Sequence, residues 1–129
     1  MVLLDTSFLV DVLRGVKNME RIMDRLDREE DVYITAISIM ELNYGALKSA
    51  DEEEQARLLS FLASFDLLEF NVDSSIEASK IKYDLESSGS MIEIEDIMIA
   101  GIAKSNKQKL VTRNVKHFER IKGLEVEAY

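Results

Sequence analysis

Three carboxylates stand where the surrounding residues are apolar. Asp5 follows the run Val2-Leu3-Leu4, Glu41 lies within Ile37-Ser38-Ile39-Met40-Glu41-Leu42, and Asp96 opens the most hydrophobic stretch, Ile97-Met98-Ile99-Ala100-Gly101-Ile102-Ala103. A carboxylate taken out of water is costly unless it gains a basic partner, a proton or a metal ion. No Lys or Arg sits one helical turn from Glu41 or Asp96. Three such acids, each near a strand end or a helix start, are able to converge on one divalent cation. All-oxygen ligation selects Mg²⁺, with Mn²⁺ as the alternative, over zinc. Each acid also has a purely structural reading. Asp5 suits the N-cap of a helix, Glu41 would complete a capping box with Ser38, and Asp96 would complement a helix dipole from its first turn. Glu93 and Glu95 are assigned to that dipole role. His117, the one histidine, is read as a helix-surface residue.

The elements that must position these acids alternate along the chain. Val2-Leu3-Leu4 is a short all-apolar run, the mark of a strand buried on both faces, so Asp5 falls at its carboxyl edge. In open α/β sheets that edge is where ligands bind. Phe8, Leu9, Val12 and Leu13 predict a short helix closed by Gly15, and Met19, Ile22, Met23 and Leu26 a second over 17–30. Val32-Tyr33-Ile34 is the second strand. A helix follows over 38–49, with Ile37, Met40, Tyr44 and Leu47 on one face. The acidic run Asp51–Glu54 opens the next, striped by Leu58, Leu59, Leu62 and Phe65. Leu67–Phe70 is the third strand. Ser74-x-x-Glu77 and Ser90-x-x-Glu93 read as capping boxes for a helix carrying Ala78, Ile81 and Leu85 and for the buried helix after Asp96. Lys109–Thr112 is the fourth strand, a short helix spans 115–121, and Leu124–Val126 is the fifth strand. Alternating strands and helices predict an α/β fold, a parallel sheet with helices on both faces. Strand order does not follow from this pattern.

Composition bounds the rest. At 129 residues one domain, 1–129, is expected, large enough to bury roughly two-thirds of its unfolded surface. Apolar content of 47% with 32% charged residues excludes a disordered chain. The absence of cysteine excludes disulfides, thiolate metal sites and cysteine nucleophiles. No apolar run reaches the ~18 residues of a membrane span, and Met1 opens directly into a strand, so a cytoplasmic protein is expected. The net charge of −9 argues against a polyanionic partner, but its distribution does not. Residues 104–122 hold seven bases (Lys104, Lys107, Lys109, Arg113, Lys116, Arg120 and Lys122) against the single acid Glu119. A basic sector on an acidic body suits a phosphate-bearing substrate or a charged protein partner, or is simply a solvated face.

In this order the motifs form a pattern. Leu4-Asp5-Thr6-Ser7-Phe8-Leu9 is followed by Thr35-Ala36-Ile37-Ser38-Ile39-Met40-Glu41-Leu42 with Gly45. Then come Gly89, Ile92, Asp96 and Ile99-Ala100, then Leu110-Val111-Thr112-Arg113-Asn114 with Phe118, and last Gly123-Leu124-Glu125-Val126. From end to end the chain resembles the PIN-domain ribonucleases and, within them, the VapC-type toxins of toxin–antitoxin pairs. The resemblance implies a three-layer fold with strand order 3-2-1-4-5 and the Asp5 strand in the centre. It also implies a Mg²⁺ site formed by Asp5, Glu41 and Asp96, whose fourth position falls on Asn114. Asparagine keeps a carbonyl ligand but adds no charge, so a second ion would be held more weakly. Thr6, Ser7 and Thr112 would support the acids through hydroxyl hydrogen bonds. The implied reaction is hydrolysis of an RNA phosphodiester, with Arg113 and the 104–122 bases on the flanking phosphates. The implied partners are a homodimeric second copy and an antitoxin protein whose tail reaches the site. The Met19–Met23 and Phe61–Phe65 helices offer themselves either as partner surfaces or as core.

Two other classes compete. A haloacid-type phosphatase needs Asp-x-Asp after its first strand, where this chain has Asp5-Thr6-Ser7. A phosphoacceptor receiver domain needs an acid pair there and an Asp closing a middle strand, and Leu67-Leu68-Glu69-Phe70-Asn71 supplies none. The other competitor is a PIN-fold protein that binds without cleaving.

Overall fold

The computed structural model describes residues 1–129. It comprises β1 (Val2–Leu4), α1 (Thr6–Leu13), α2 (Met19–Glu29), β2 (Val32–Thr35), α3 (Ala36–Leu47), α4 (Glu52–Leu62), β3 (Asp66–Leu68), α5 (Val72–Ser88), α6 (Ile94–Ser105), β4 (Lys109–Val111), α7 (Val115–Phe118) and β5 (Val126–Glu127). The five strands form one sheet in the order β3-β2-β1-β4-β5, and every pairing is parallel. β1 is therefore central, with Leu3 opposite both Tyr33 and Leu110. No helix is long and apolar enough to cross a membrane.

Side chains alternate across the pleat, and the alternation makes two cores. Leu3 and Leu110 point into one, with Ala78, Ile81, Leu85, Ile97, Ile99 and Phe118 from α5, α6 and α7. Val2, Leu4, Ile34 and Val111 point into the other, with Phe8, Leu9, Met19, Leu26, Leu58 and Leu62 from α1, α2 and α4. The helices thus cover both faces. α5 and α6 lie so close that a Cβ on Gly101 would stand 2.7 Å from the Ser74 carbonyl oxygen and 2.9 Å from Ala78 Cβ. Only a glycine permits that approach.

Several local expectations are corrected. Neither Ser-x-x-Glu box forms: α5 is capped by Asn71, in a reciprocal box with Ser74, and Glu93 stands at the N-cap position of α6 with no side-chain cap. Asn wins because its carbonyl reaches the Ser74 amide at 3.0 Å while the Ser74 hydroxyl accepts from the Asn71 amide at 2.6 Å. The third strand is Asp66–Leu68 and the fifth Val126–Glu127; these edge strands are pinned by register with a single neighbour, and hydrophobicity does not locate their ends. On α3 Ile37 is buried, but Met40, Tyr44 and Leu47 are exposed; Ile39, Leu42 and Ala46 pack on the core instead. Met19 is buried, while Met23, Phe61 and Phe65 pack against the second core, with the two phenyl rings edge to face at 5.2 Å. Met19 is thus core, while Met23, Phe61 and Phe65 are half-buried and line a surface pocket with Asp27 and Asp31.

Candidate active site

The carboxyl edge of the sheet gathers the chemistry. β1 delivers Asp5 there directly, and α3 starts there from β2 and carries Glu41 in its second turn. α6 must run back against the strands to feed parallel β4, so its first turn, with Asp96, lies at the same edge. β4 ends there at Val111, followed by Thr112, Arg113 and Asn114.

Asp5 occupies the N-cap position of α1 but makes no side-chain cap. Its Oδ2 instead accepts from Ser7 Oγ at 2.8 Å and from Thr112 Oγ1 at 2.7 Å. Each hydroxyl spends its one proton on that oxygen and accepts in turn from an amide, Ser7 from Arg113 N–H at 3.1 Å and Thr112 from Asn114 N–H at 3.0 Å. The other oxygen, Oδ1, is buried with no hydrogen-bond partner. An orphaned oxygen on a buried carboxylate is expensive and calls for a ligand.

Glu41 does not close a box with Ser38. The α3 cap is Thr35, which accepts from the Ser38 amide, and Glu41 Oε1 accepts from Thr6 Oγ1 at 2.8 Å. Because Thr6 gives its proton to Glu41, its 2.8 Å contact with Ser38 Oγ makes Ser38 the donor. Ser38, read from sequence only as a capping residue, is thus a relay from the α3 cap to the site.

No lysine or arginine comes within ion-pairing distance of any of the three acids. The nearest basic group is the His117 imidazole, whose Nδ1 lies 3.7 Å from Asp96 Oδ2. His117 is exposed on α7 as expected, yet it faces the site. Burial pushes the Asp96 pKa up to about 6, helped by the charges of Asp5 and Glu41 and opposed by His117. Burial likewise raises Glu41 against the opposing Thr6 hydrogen bond, with Asp5 and Glu95 adding to the rise. Glu95, assigned above to the helix dipole alone, therefore also bears on the site. Asn114 is half-buried at the start of α7, where its side chain makes no cap.

As placed, no three acidic or imidazole groups lie close enough together to enclose a metal ion. The donor set still fits a hard cation. It consists of carboxylate and carbonyl oxygens, one of them orphaned, with Asp5 raising Glu41 and Asp96 and no lysine or arginine to satisfy them.

The basic sector divides. Lys104 pairs with Glu77 at 3.6 Å, and Lys109 lies 3.9 Å from both Glu125 and Glu127, at the opposite edge of the sheet. Arg113, Asn114, Lys116 and His117 line a shallow crevice beside the acids. The Arg113 guanidinium is not free: Nη1 donates to Asp11 Oδ1 at 2.5 Å. Asp11 and the chain's last residue, Tyr129, whose hydroxyl donates to Asp11 Oδ2 at 2.6 Å, were not expected to adjoin the site. The one sequence signal was an acid among Phe8, Leu9, Val12 and Leu13. A groove of about 740 Å³ leads away from Thr6 and Glu41 between α1, α3 and α4, walled by Val10, Leu13, Leu42 and Leu58, with Arg14 and Arg57 also on its lining.

The chain matches the family model described as PIN domain over residues 2–124. It is 32% identical over 127 residues to the tRNA(fMet)-specific endonuclease VapC of Salmonella typhimurium, covering 97% of this chain and 95% of that protein. Among solved structures it is similar to VapBC2 of Rickettsia felis bound to a DNA fragment from their promoter, with a TM-score of 0.92 at 27% identity over 100% and 99% of the two chains. It is similar also to DNA-bound VapBC of Salmonella typhimurium, with a TM-score of 0.86 at 30% identity over 99% and 98%.

Proposed function

The chain belongs to the PIN-domain family, in its VapC group, and from that premise we propose that it is a Mg²⁺-dependent endoribonuclease, the toxin of a toxin–antitoxin pair. The observation that carries the reading is Asp5, buried with Oδ1 unpartnered, at one sheet edge with two carboxylates that lack any lysine or arginine. Asp5, Glu41 and Asp96, with the Asn114 carbonyl, would hold the cation; Mn²⁺ would serve as well. When bound, the cation offsets negative charge on the phosphate oxygens and lowers the pKa of the attacking water.

The residues of the chain do the remaining work. Ser7 and Thr112 fix the Asp5 carboxylate, and Thr6 fixes Glu41 through one oxygen, leaving the other open. Lys116, on the crevice beside the acids, would meet a phosphate flanking the cut. The substrate class to test first is a folded tRNA, since the Salmonella relative is named for tRNA(fMet). The VapBC complexes among its structural neighbours support an antitoxin partner. The groove from Glu41 between α1, α3 and α4 would receive the antitoxin's tail, and a basic side chain there would inhibit by taking the cation's place. The exposed Met40, Tyr44 and Leu47 stripe on α3 supports a homodimer. A cytoplasmic location follows from the same reading.

The test is cleavage of a tRNA panel with Mg²⁺, with Mn²⁺ and with chelator, using wild type and Asp5→Asn. Cleavage only with metal and only by wild type is expected. Full activity in chelator refutes the metal; no cleavage under any condition, with antitoxin binding intact, supports the binding-only reading.

A further inference from the structure

Asp11 is a buried carboxylate outside the three acids. Ser7 and Asp11 are four residues apart on α1 and so share a face, and that face meets the turn joining β4 to α7. Both oxygens of Asp11 are taken, one by Arg113 Nη1 at 2.5 Å and one by the Tyr129 hydroxyl at 2.6 Å. The Tyr129 ring stands edge-on to Phe8, a core residue of the same helix, at 4.8 Å. Arg113 is thereby held twice, by its guanidinium to Asp11 and by its backbone amide to Ser7 Oγ. Its two neighbours matter to the acids: Thr112 donates to Asp5, and the Asn114 amide donates back to Thr112.

We propose that Asp11, Arg113 and Tyr129 are positioning residues that clamp the turn after β4, so that Ser7 and Thr112 hold Asp5 Oδ2 and leave Oδ1 free for the cation. The inference rests on the metal-dependent reading above. It gives Arg113, half-exposed and basic beside the site, a role distinct from a simple phosphate contact. It also gives Tyr129 a role: its hydroxyl on Asp11 and its ring on Phe8 tie the segment after β5 to α1, beside the loop that carries Thr112 and Asn114. A carboxylate satisfied by one guanidinium and one phenol orients both, since neither donor can swing away without stripping a buried charge.

The experiment compares Tyr129→Phe, Asp11→Asn, Arg113→Met and the Asp11→Asn/Arg113→Met double variant in the full chain. Tyr129→Phe keeps the ring on Phe8 and removes only the hydroxyl. Amide hydrogen exchange is read at Arg113 and Asn114 against Ile99 and Leu110. Mn²⁺ affinity is measured by water-proton relaxation, and kcat and KM are measured on RNA. The clamp predicts exchange at Arg113 and Asn114 faster by on the order of tenfold, with Ile99 and Leu110 unmoved. It predicts Mn²⁺ affinity lower by roughly tenfold, as for other groups that orient ligands, with KM for RNA little changed. The double variant should be no worse than the worse single one, because the pair acts as a unit. Unchanged exchange at both amides overturns the clamp, as does uniform acceleration across all four. A raised KM and a shallower salt dependence in Arg113→Met alone would also overturn it, making Arg113 a phosphate contact. If Asp11→Asn fails to fold, Tyr129→Phe decides. If wild type neither binds Mn²⁺ nor cleaves RNA, the metal reading fails, while the exchange measurements still judge the clamp.

Discussion

Asp96→Asn separates the chemistry of the site from its cost. The Asp96 pKa is pushed from an ordinary 3.8 up to about 6, first by burial and then by the charges of Asp5 and Glu41. That rise of roughly 2 units corresponds to about 3 kcal/mol at about 1.4 kcal/mol per unit. The side chain keeps 19% of its surface in water at the rim of the site, so screening reduces the figure to about 1–2 kcal/mol. The sign follows from proton binding. Between pH 3.8 and about 6 the folded chain binds the extra proton, so stability falls as pH rises through that window. Above about 6 the full penalty is present; below 3.8 it is gone. Asn keeps the shape and removes the charge. In chelator at pH 7.5, Asp96→Asn should therefore melt higher than wild type, by roughly 3–8 °C for a chain of this size, and the gap should close as pH falls toward 4. Adding Mg²⁺ should reverse the order. A ligand that binds only the folded state at about 100 times its Kd stabilises by about 2.7 kcal/mol, and the variant should gain little of this. Thermal melts of both proteins across pH, with Mg²⁺ and with chelator, give the answer. A variant that melts lower than wild type in chelator at pH 7.5, yet shows the same Mg²⁺ shift, would show that Asp96 is only a helix-dipole acid.

Other outcomes follow from the same contacts. Glu41→Gln should abolish metal-dependent RNA cleavage while leaving the fold intact by circular dichroism; retained activity would remove Glu41 from the site. Thr112→Val keeps the shape but takes one of two hydroxyl donors from buried Asp5, and should cost about 1.5–3 kcal/mol in urea unfolding, the range for hydrogen bonds to charged groups. Gly101→Ala places a methyl 2.7 Å from a backbone carbonyl and should destabilise by about 1–3 kcal/mol through overpacking, despite the better helix propensity of alanine; a stability equal to or above wild type would mean that α5 and α6 separate easily. Met40→Ser with Leu47→Ser should shift sedimentation toward monomer without lowering the melting temperature, if the exposed α3 stripe joins two copies.

Much of this fold is legible in the chain because its signals are strong. Val2-Leu3-Leu4 has no polar residue to expose, and Ile97–Ala103 is apolar all round, so a buried central strand and a buried helix are forced. The strand order was not in the pattern; it came with the resemblance and is the order observed. The misreadings have a common cause, which is competition between chemically equivalent local partners. Ser74 and Asn71 are both good caps, and backbone geometry chose Asn71. Met40, Tyr44 and Leu47 keep helical spacing, but Ile39, Leu42 and Ala46 keep it too, and only the position of α3 on the sheet decides which stripe is inside. Of the site, Asp5, Glu41 and Asp96 were visible as charges in apolar surroundings. Asp11 and Tyr129 were not, because their contact spans 118 residues and no local rule links a helix acid to a terminal phenol.

The choice of partners around Asp5 is informative in itself. A buried carboxylate is most cheaply satisfied by arginine, and the chain has one within reach of the same turn. That arginine is directed to Asp11, while Asp5 receives two hydroxyls. A guanidinium on Asp5 would neutralise it, occupy both oxygens, and place positive charge where the proposed cation would sit. Hydroxyls orient the carboxylate without discharging it, and two of them on one oxygen leave the other bare. Asp11 draws the arginine aside and uses it to brace the turn. The arrangement keeps three acids poorly compensated at one edge of the sheet, at a cost visible in the raised Asp96 and Glu41. On the metal-dependent reading proposed above, a bound cation would offset that cost, which burial sets first and the neighbouring charges add to.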